Sequence, residues 1–220
     1  MIKGIVFDMD GLMFDTERLA VEGYAYAGRL TGHILPRELV VKAIGLNREN
    51  TARLVKEHLS GDFDYTAVKK IMADYTTEYI EQNGMPCKPG LRSLLDYLRQ
   101  NKYAITVATS SDRDRAEYYL DKAFIRGYFG DIICGDMVKR GKPEPDIYLK
   151  ACEILSLPPQ ACIALEDSPM GILSSYNAGM KPVMIPDLAE PDADTKKLLY
   201  SYLTSLSDVI NLLEQTKERS

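Results

Sequence analysis

The chain lacks what several protein classes require. No apolar stretch approaches the length needed to span a bilayer. The first apolar run is short and is broken by Asp8, so no secretory signal pattern is visible. A basic stripe is missing too. Lys and Arg number 27 against 32 Asp and Glu, for a net charge of −5. That balance argues against a large nucleic-acid footprint, while leaving room for a local basic pocket that takes a phosphate. The four cysteines, Cys87, Cys134, Cys152 and Cys162, show neither CxxC spacing nor a paired pattern. Cys134 and Cys162 sit in apolar runs, where cysteine behaves as a small hydrophobe. All four are expected to be reduced thiols, in keeping with a cytoplasmic protein. The two histidines, His33 and His58, form no cluster. There is no internal repeat and no low-complexity segment.

What is present begins at the amino end. Ile5, Val6 and Phe7 form a short apolar run of the kind a strand buried on both faces shows. Asp8, Asp10 and Gly11 follow at once. In open α/β sheets ligands bind outside the carboxyl ends of the strands, so Asp8 points toward a site. In extended chain Asp8 and Asp10 lie on one face, where their charges repel unless a cation lies between them or one holds a proton. Hard oxygen ligands of this kind suit Mg²⁺. A turn would also accept Asp-X-Asp-Gly. A calcium loop would not continue Leu12-Met13-Phe14.

After Phe14 the pattern is helical only. Asp15 or Thr16 caps a first helix that ends near Gly32, and Pro36 opens a second. Asn47 caps a third through Leu59, and a fourth runs from Tyr65 to Ile80, stopping near Asn83-Gly84. Residues 15–85 therefore read as a helical insert, and 1–14 with 86–220 as the catalytic core. In the core, strands are expected at Ala104–Ala108, Ile132–Cys134, Cys162–Leu165 and Pro182–Ile185, the last taken as the final strand. Helices alternate with them at Leu91–Leu98, Arg113–Lys122, Pro145–Leu155, Ser168–Gly179 and Ser207–Leu213. This alternation implies α/β architecture: a doubly wound, mostly parallel sheet covered on both faces, with an inserted all-helical cap.

Polar side chains gather at the strand ends: Asp8 and Asp10, Thr109 and Ser110, the loop of Lys142, and Glu166 with Asp167. Singly, each has a plain alternative as helix cap, solvated lysine or helix-dipole partner. Jointly they suit phosphoryl transfer, in which positioning and charge neutralisation do most of the work. A carboxylate can attack as nucleophile, and a second can protonate the leaving oxygen and then activate water.

Phe7-Asp8-Met9-Asp10-Gly11 with Asp15-Thr16-Glu17 resembles the first signature of the haloacid dehalogenase-like hydrolase superfamily. Val107-Ala108-Thr109-Ser110-Ser111 resembles its second motif, and Gly141-Lys142-Pro143-Glu144-Pro145-Asp146 its third. Leu165-Glu166-Asp167-Ser168-Pro169-Met170-Gly171-Ile172 resembles its fourth. The order and spacing are most similar to the group with a helical cap after the first strand, which includes β-phosphoglucomutase and many small phosphatases. The resemblance implies Asp8 as nucleophile and Mg²⁺ ligand. It implies Asp10 as general acid/base that lends its backbone carbonyl to the metal. Thr109 and the Ser110 N–H would bind the transferring phosphoryl group, and Lys142 would steady it. Asp167 would complete the metal site, with Glu166 as a direct or water-bridged ligand.

Two departures stand out against the mutase. Its cap histidine is matched by Ala20, and its cap lysine by Ile44. Arg48 matches the cap arginine that contacts substrate phosphate there, or is a solvated helix residue. The expected activity is hydrolysis of a small phosphorylated metabolite through a phosphoaspartate, with a sugar-phosphate mutase as the alternative. A regulatory phosphate-accepting module is the rival from another class, but it needs neither a helical lid nor Asp10. No nucleic-acid or membrane partner is expected, and nothing demands more than a monomer. The tyrosines Tyr24, Tyr26, Tyr75 and Tyr79 line the pocket or pack the insert.

Overall fold

The computed structural model describes residues 1–43, 53–54 and 64–218. Among them five strands form one parallel sheet in the order β2-β1-β3-β4-β5. The strands are β1 Gly4–Phe7, β2 Ala104–Val107, β3 Cys162–Glu166, β4 Lys181–Met184 and β5 Ser201–Tyr202. Register runs Phe7 against Val107 on one side and Leu165 on the other. The chain leaves β1 for β2 on one flank and returns to β3 on the opposite flank. The carboxyl end of β1 is therefore the switch point where a doubly wound sheet opens a crevice.

Side chains alternate between the two faces, and both faces are covered. Ile5, Phe7, Ile163 and Leu165 pack with Leu94, Leu98, Leu120 and Val209. These last four come from helices α4 Leu91–Gln100, α5 Arg113–Lys122 and α9 Asp208–Glu218. Val6, Cys162 and Ala164 face the other way, onto Ile147, Tyr148 and Ala151 of α6 Asp146–Leu155. Burial on both faces explains why these strands read as continuous apolar runs rather than alternating ones. Helices α7 Pro169–Asn177 and α8 Ala193–Leu198 complete the described core elements.

Two expectations are corrected here. Ile132–Cys134 is not a strand of the sheet. Only Ile133 bridges Ala108, its N–H donating to Val107 and its carbonyl accepting from Thr109. The chain then turns into a short 3₁₀ segment at Gly135, whose N–H donates to Ser111 O, so pairing cannot extend. Nor is Pro182–Ile185 the final strand, because β5 adds an edge. With only a half-buried serine and an exposed tyrosine, β5 carries no apolar run to betray it.

Between the core segments lie α1 Thr16–Thr31, α2 Arg37–Ala43 and α3 Tyr65–Asn83. Gly32 ends α1 in the left-handed conformation at φ 73°, which glycine adopts without strain. Gly23 lets α1 approach α3 closely, since a Cβ there would meet Met72 Cγ at 3.0 Å. Tyr26 and Tyr75 pack across the same seam with ring centroids 5.4 Å apart. The third expected helix lies outside the described residues apart from Arg53 and Leu54, which are helical. The two chain passes that join these helices to the core run side by side. Phe14 bridges Cys87, the Asp15 N–H donates to Pro86 O and the Lys88 N–H to Met13 O. Among the described residues no helix is long and apolar enough to cross a membrane, and the four cysteines form no disulfide.

Candidate active site

The site grows from the end of β1. Phe7 is the last strand residue, and the Asp8 N–H still donates to Leu165 O, which fixes Asp8 at the sheet edge. The chain then folds back: Met13 N–H donates to Met9 O and Gly11 N–H to Phe14 O. Gly11 takes φ +83°, and a Cβ there would fall 2.2 Å from Asp167 Oδ2. Glycine is required at this point both for the backbone angle and for the close approach.

Past this turn the two N-terminal carboxylates take different partners. Asp8 is buried beside Glu166 and Asp167, the three offering ligand oxygens within 4.8 Å of one another. The Asp10 carboxylate instead accepts hydrogen bonds from Thr16 Oγ1 at 2.7 Å and Ser111 Oγ at 2.9 Å, with Thr109 Oγ1 at 3.5 Å. Lys142 joins the cluster, its Nζ 2.5 Å from Asp8 Oδ1 and 2.6 Å from Glu166 Oε1. Tyr148 donates its hydroxyl to the same Glu166 oxygen, and Ser168 donates to the other. Ser168 also caps α7, accepting from Gly171 N–H at 3.1 Å. Gly171 has no room for a side chain, because a Cβ would lie 1.9 Å from Glu166 Cδ.

Burial dominates the electrostatics. It pushes the Asp8 carboxyl up to about 8 in the metal-free chain, against the pull of Lys142 and with the help of Glu166 and Asp10. Asp167 is likewise held well above the usual carboxylate range by burial, then by Glu17, Asp8 and Glu166. Burial opposes the Lys142 charge, but Asp8 and Glu166 outweigh it and hold the ammonium above its ordinary value. One lysine thus faces three buried carboxylates. Such a cluster of hard oxygen donors short of positive charge fits a divalent cation, Mg²⁺ in particular.

Sequence reasoning placed no role on Glu17, Ser111, Tyr148 or Asp187. Glu17 is buried, and burial with Asp187 and Asp10 raises its carboxyl to about 9. Asp187 follows β4 and pairs with Lys88 Nζ at 2.6 Å, and Lys88 also reaches Asp15 Oδ1 at 3.0 Å. Glu17 was visible only as an acidic residue in a first helical turn, and Tyr148 only as part of an apolar helix face. Thr109 is buried at the sheet edge, and Ser110 is exposed just before α5. Arg48 lies outside the described residues. The expected members Asp8, Lys142, Glu166 and Asp167 are in direct contact or share one cluster, and Asp10 and Thr109 adjoin it.

Over these residues opens a cleft of about 800 Å³. Its walls include Ala20 and Tyr24 of α1, Tyr65 and Thr76 of α3, and Arg115 and Tyr118 of α5. Tyr24 therefore faces the cleft, whereas Tyr26 and Tyr75 pack against each other with their rings tilted by 34°. A smaller concavity of about 430 Å³ at the amino end of the sheet, beside Lys3 and Lys102, contains none of the candidate residues.

Comparison with known proteins agrees with this fold. The family model for haloacid dehalogenase-like hydrolases matches residues 5–185. The chain belongs to that family. Among its relatives is the "Probable pseudouridine-5'-phosphatase" of Drosophila melanogaster, 36% identical over 190 residues, covering 83% of this chain and 80% of that protein. The phosphorylated carbohydrates phosphatase of Thermotoga maritima is 26% identical over 221 residues, covering 97% and 99%. In fold the chain is similar to the crystal structure of CbbY from Rhodobacter sphaeroides in complex with phosphate. That comparison has a TM-score of 0.81 at 24% identity and covers 95% of this chain and 96% of the other.

Proposed function

We propose that this chain is a Mg²⁺-dependent phosphatase that hydrolyses a small phosphorylated metabolite through a phosphoaspartate at Asp8. The observation that carries the proposal is the buried contact of Lys142 with Asp8 and Glu166, beside Asp167, at the switch point of the sheet. The named phosphatases among its relatives support the same reaction class.

Asp8, Asp167 and the Asp10 main-chain carbonyl would hold the cation, with Glu166 direct or through water. Bound there, Mg²⁺ supplies charge neutralisation to the phosphoryl oxygens and to the nucleophile. Asp8 attacks phosphorus in line, and the ester oxygen departs. Asp10, held by Thr16 and Ser111 on the cleft side, gives that oxygen a proton and then takes one from the water that cleaves the acyl phosphate. Thr109 and the Ser110 N–H, just before the first turn of α5, bind phosphoryl oxygens, where a helix N-terminus favours negative charge. Lys142 draws the Asp8 carboxyl toward its ionised form and holds it in place. Residues 15–85 act as a cap, and the paired segments at Phe14 and Cys87 as its hinge. Closure excludes water while substrate loads.

Ala20 favours hydrolysis over isomerisation. It lines the cleft with a methyl group, which has no proton to give or take, where the mutase has a histidine. The test is phosphate release and product analysis over sugar phosphates and nucleoside monophosphates. Free phosphate with dephosphorylated product is expected. Isomerised hexose phosphate that needs a bisphosphate primer, with little free phosphate, would establish the mutase instead.

A further inference from the structure

Among the described residues of the helical segment, Glu17 is a buried carboxylate sent toward the core. It sits in the first turn of α1, where a carboxylate needs no burial to favour the helix dipole. Yet only 8% of it is exposed. A Cβ on Gly11 would lie 2.9 Å from Glu17 Cδ and 2.2 Å from Asp167 Oδ2, so the two carboxylates face each other across that glycine. Behind Glu17 stands Asp187, whose Oδ1 takes Lys88 while its buried Oδ2 has no hydrogen-bond partner. The Asp187 Oδ2 atom thus has acceptor capacity that the described protein does not meet. Leaving such a group unmet costs free energy. Glu17 itself lines the cleft that opens over Asp8, Asp10 and Asp167.

We infer that Glu17 is a positioning residue of the cation site, its carboxylate accepting hydrogen bonds from water on a divalent cation held by Asp8 and Asp167. The inference rests on the metal-site reading above. Mg²⁺ gives up its water reluctantly and usually keeps several molecules of it. Each of those waters has protons to donate, and hydrogen-bonded carboxylates around a first ligand set are the usual acceptors. Asp187 and Lys88 brace Glu17 from the far side. Because Glu17 belongs to α1, cation binding would also fix the root of the helical segment over the core.

The experiment is calorimetric titration of Mg²⁺ into the full chain without substrate, for the parent, Glu17→Gln, Glu17→Ala and Asp167→Asn. Loss of an outer acceptor typically weakens metal affinity about 10–100-fold, and both Glu17 variants should show that loss. Their thermal midpoints in chelator should not fall, since each removes a carboxylate from a crowd of others. Water-proton relaxation of bound Mn²⁺ in Glu17→Asp serves as the second variant and should also differ from the parent. Mg²⁺ affinity of Glu17→Gln within twofold of the parent would overturn the inference, whatever happens to turnover. Failure of the metal-site reading itself looks different: Asp167→Asn would then keep the parent's affinity.

Discussion

Lys142 Nζ lies 2.5 Å from Asp8 Oδ1, in a setting where both side chains are at least nine-tenths buried. Asp8 reaches its place by ending β1, and Lys142 by a loop 134 residues further on. Their meeting is what turns a row of strand ends into one site.

Removing one partner of a buried pair leaves the other uncompensated. Lys142→Met should therefore destabilise the metal-free chain by about 3–5 kcal/mol. Urea denaturation in chelator measures this. Turnover should fall with it, because Asp8 loses the charge that draws it toward its ionised form. An unfolding midpoint equal to that of the parent would show that Lys142 is not part of the cluster's balance.

Proton linkage gives an unusual pH dependence. Asp8 is raised to about 8 by burial and Glu17 to about 9, from ordinary values of 3.8 and 4.5. Between about pH 4 and 9 the native chain holds protons that the unfolded chain has released, so stability without metal should fall as pH rises. Lys142 stays charged throughout that window and does not reverse the sign. Mg²⁺ competes with those protons, so its affinity and its stabilising effect should grow with pH. Thermal unfolding at pH 6 and pH 9, in chelator and in Mg²⁺, tests both signs. A chelated chain that is more stable at pH 9 contradicts the assignment.

Tyr148 gives a separate test of the far side of the cluster. Its hydroxyl donates to Glu166 from within the core, and its ring lies under Lys142, 5.2 Å from Nζ. Tyr148→Phe keeps the ring and removes the donor. A hydrogen bond to a charged group contributes about 1.5–3 kcal/mol, and stability should drop by that order. A denaturation curve that overlays the parent's would mean Glu166 finds its partners without Tyr148.

The sequence made the frame of this site legible because each part had a local cause. Ile5-Val6-Phe7 had to be buried on both faces, and the residue after such a strand had to lie at its carboxyl edge. The motif around Glu166 and Asp167 followed the same rule at β3. The turn from Met9 to Phe14 was not legible, since nothing in the spacing of Asp8 and Asp10 announces that the chain folds back at Gly11 or that their carboxylates take different partners. Tyr148 was hidden for the opposite reason. It fits the apolar face of α6 so well that its hydroxyl left no trace in the pattern. Ile132–Cys134 misled because an apolar triplet is buried whether it pairs over one residue or three, and the 3₁₀ turn at Gly135 decides the matter. Glu17 and Asp187 meet only through folding, across most of the chain.

The most direct test of the account is phosphate release from p-nitrophenyl phosphate by the full chain and by Asp8→Asn, each with Mg²⁺ and with chelator. The account predicts release by the parent that needs Mg²⁺, and none above background from Asp8→Asn in either condition. Release by Asp8→Asn at the parent's rate would contradict the assignment of Asp8 as the nucleophile. Full activity of the parent in chelator would contradict the assignment of the carboxylate cluster as a cation site.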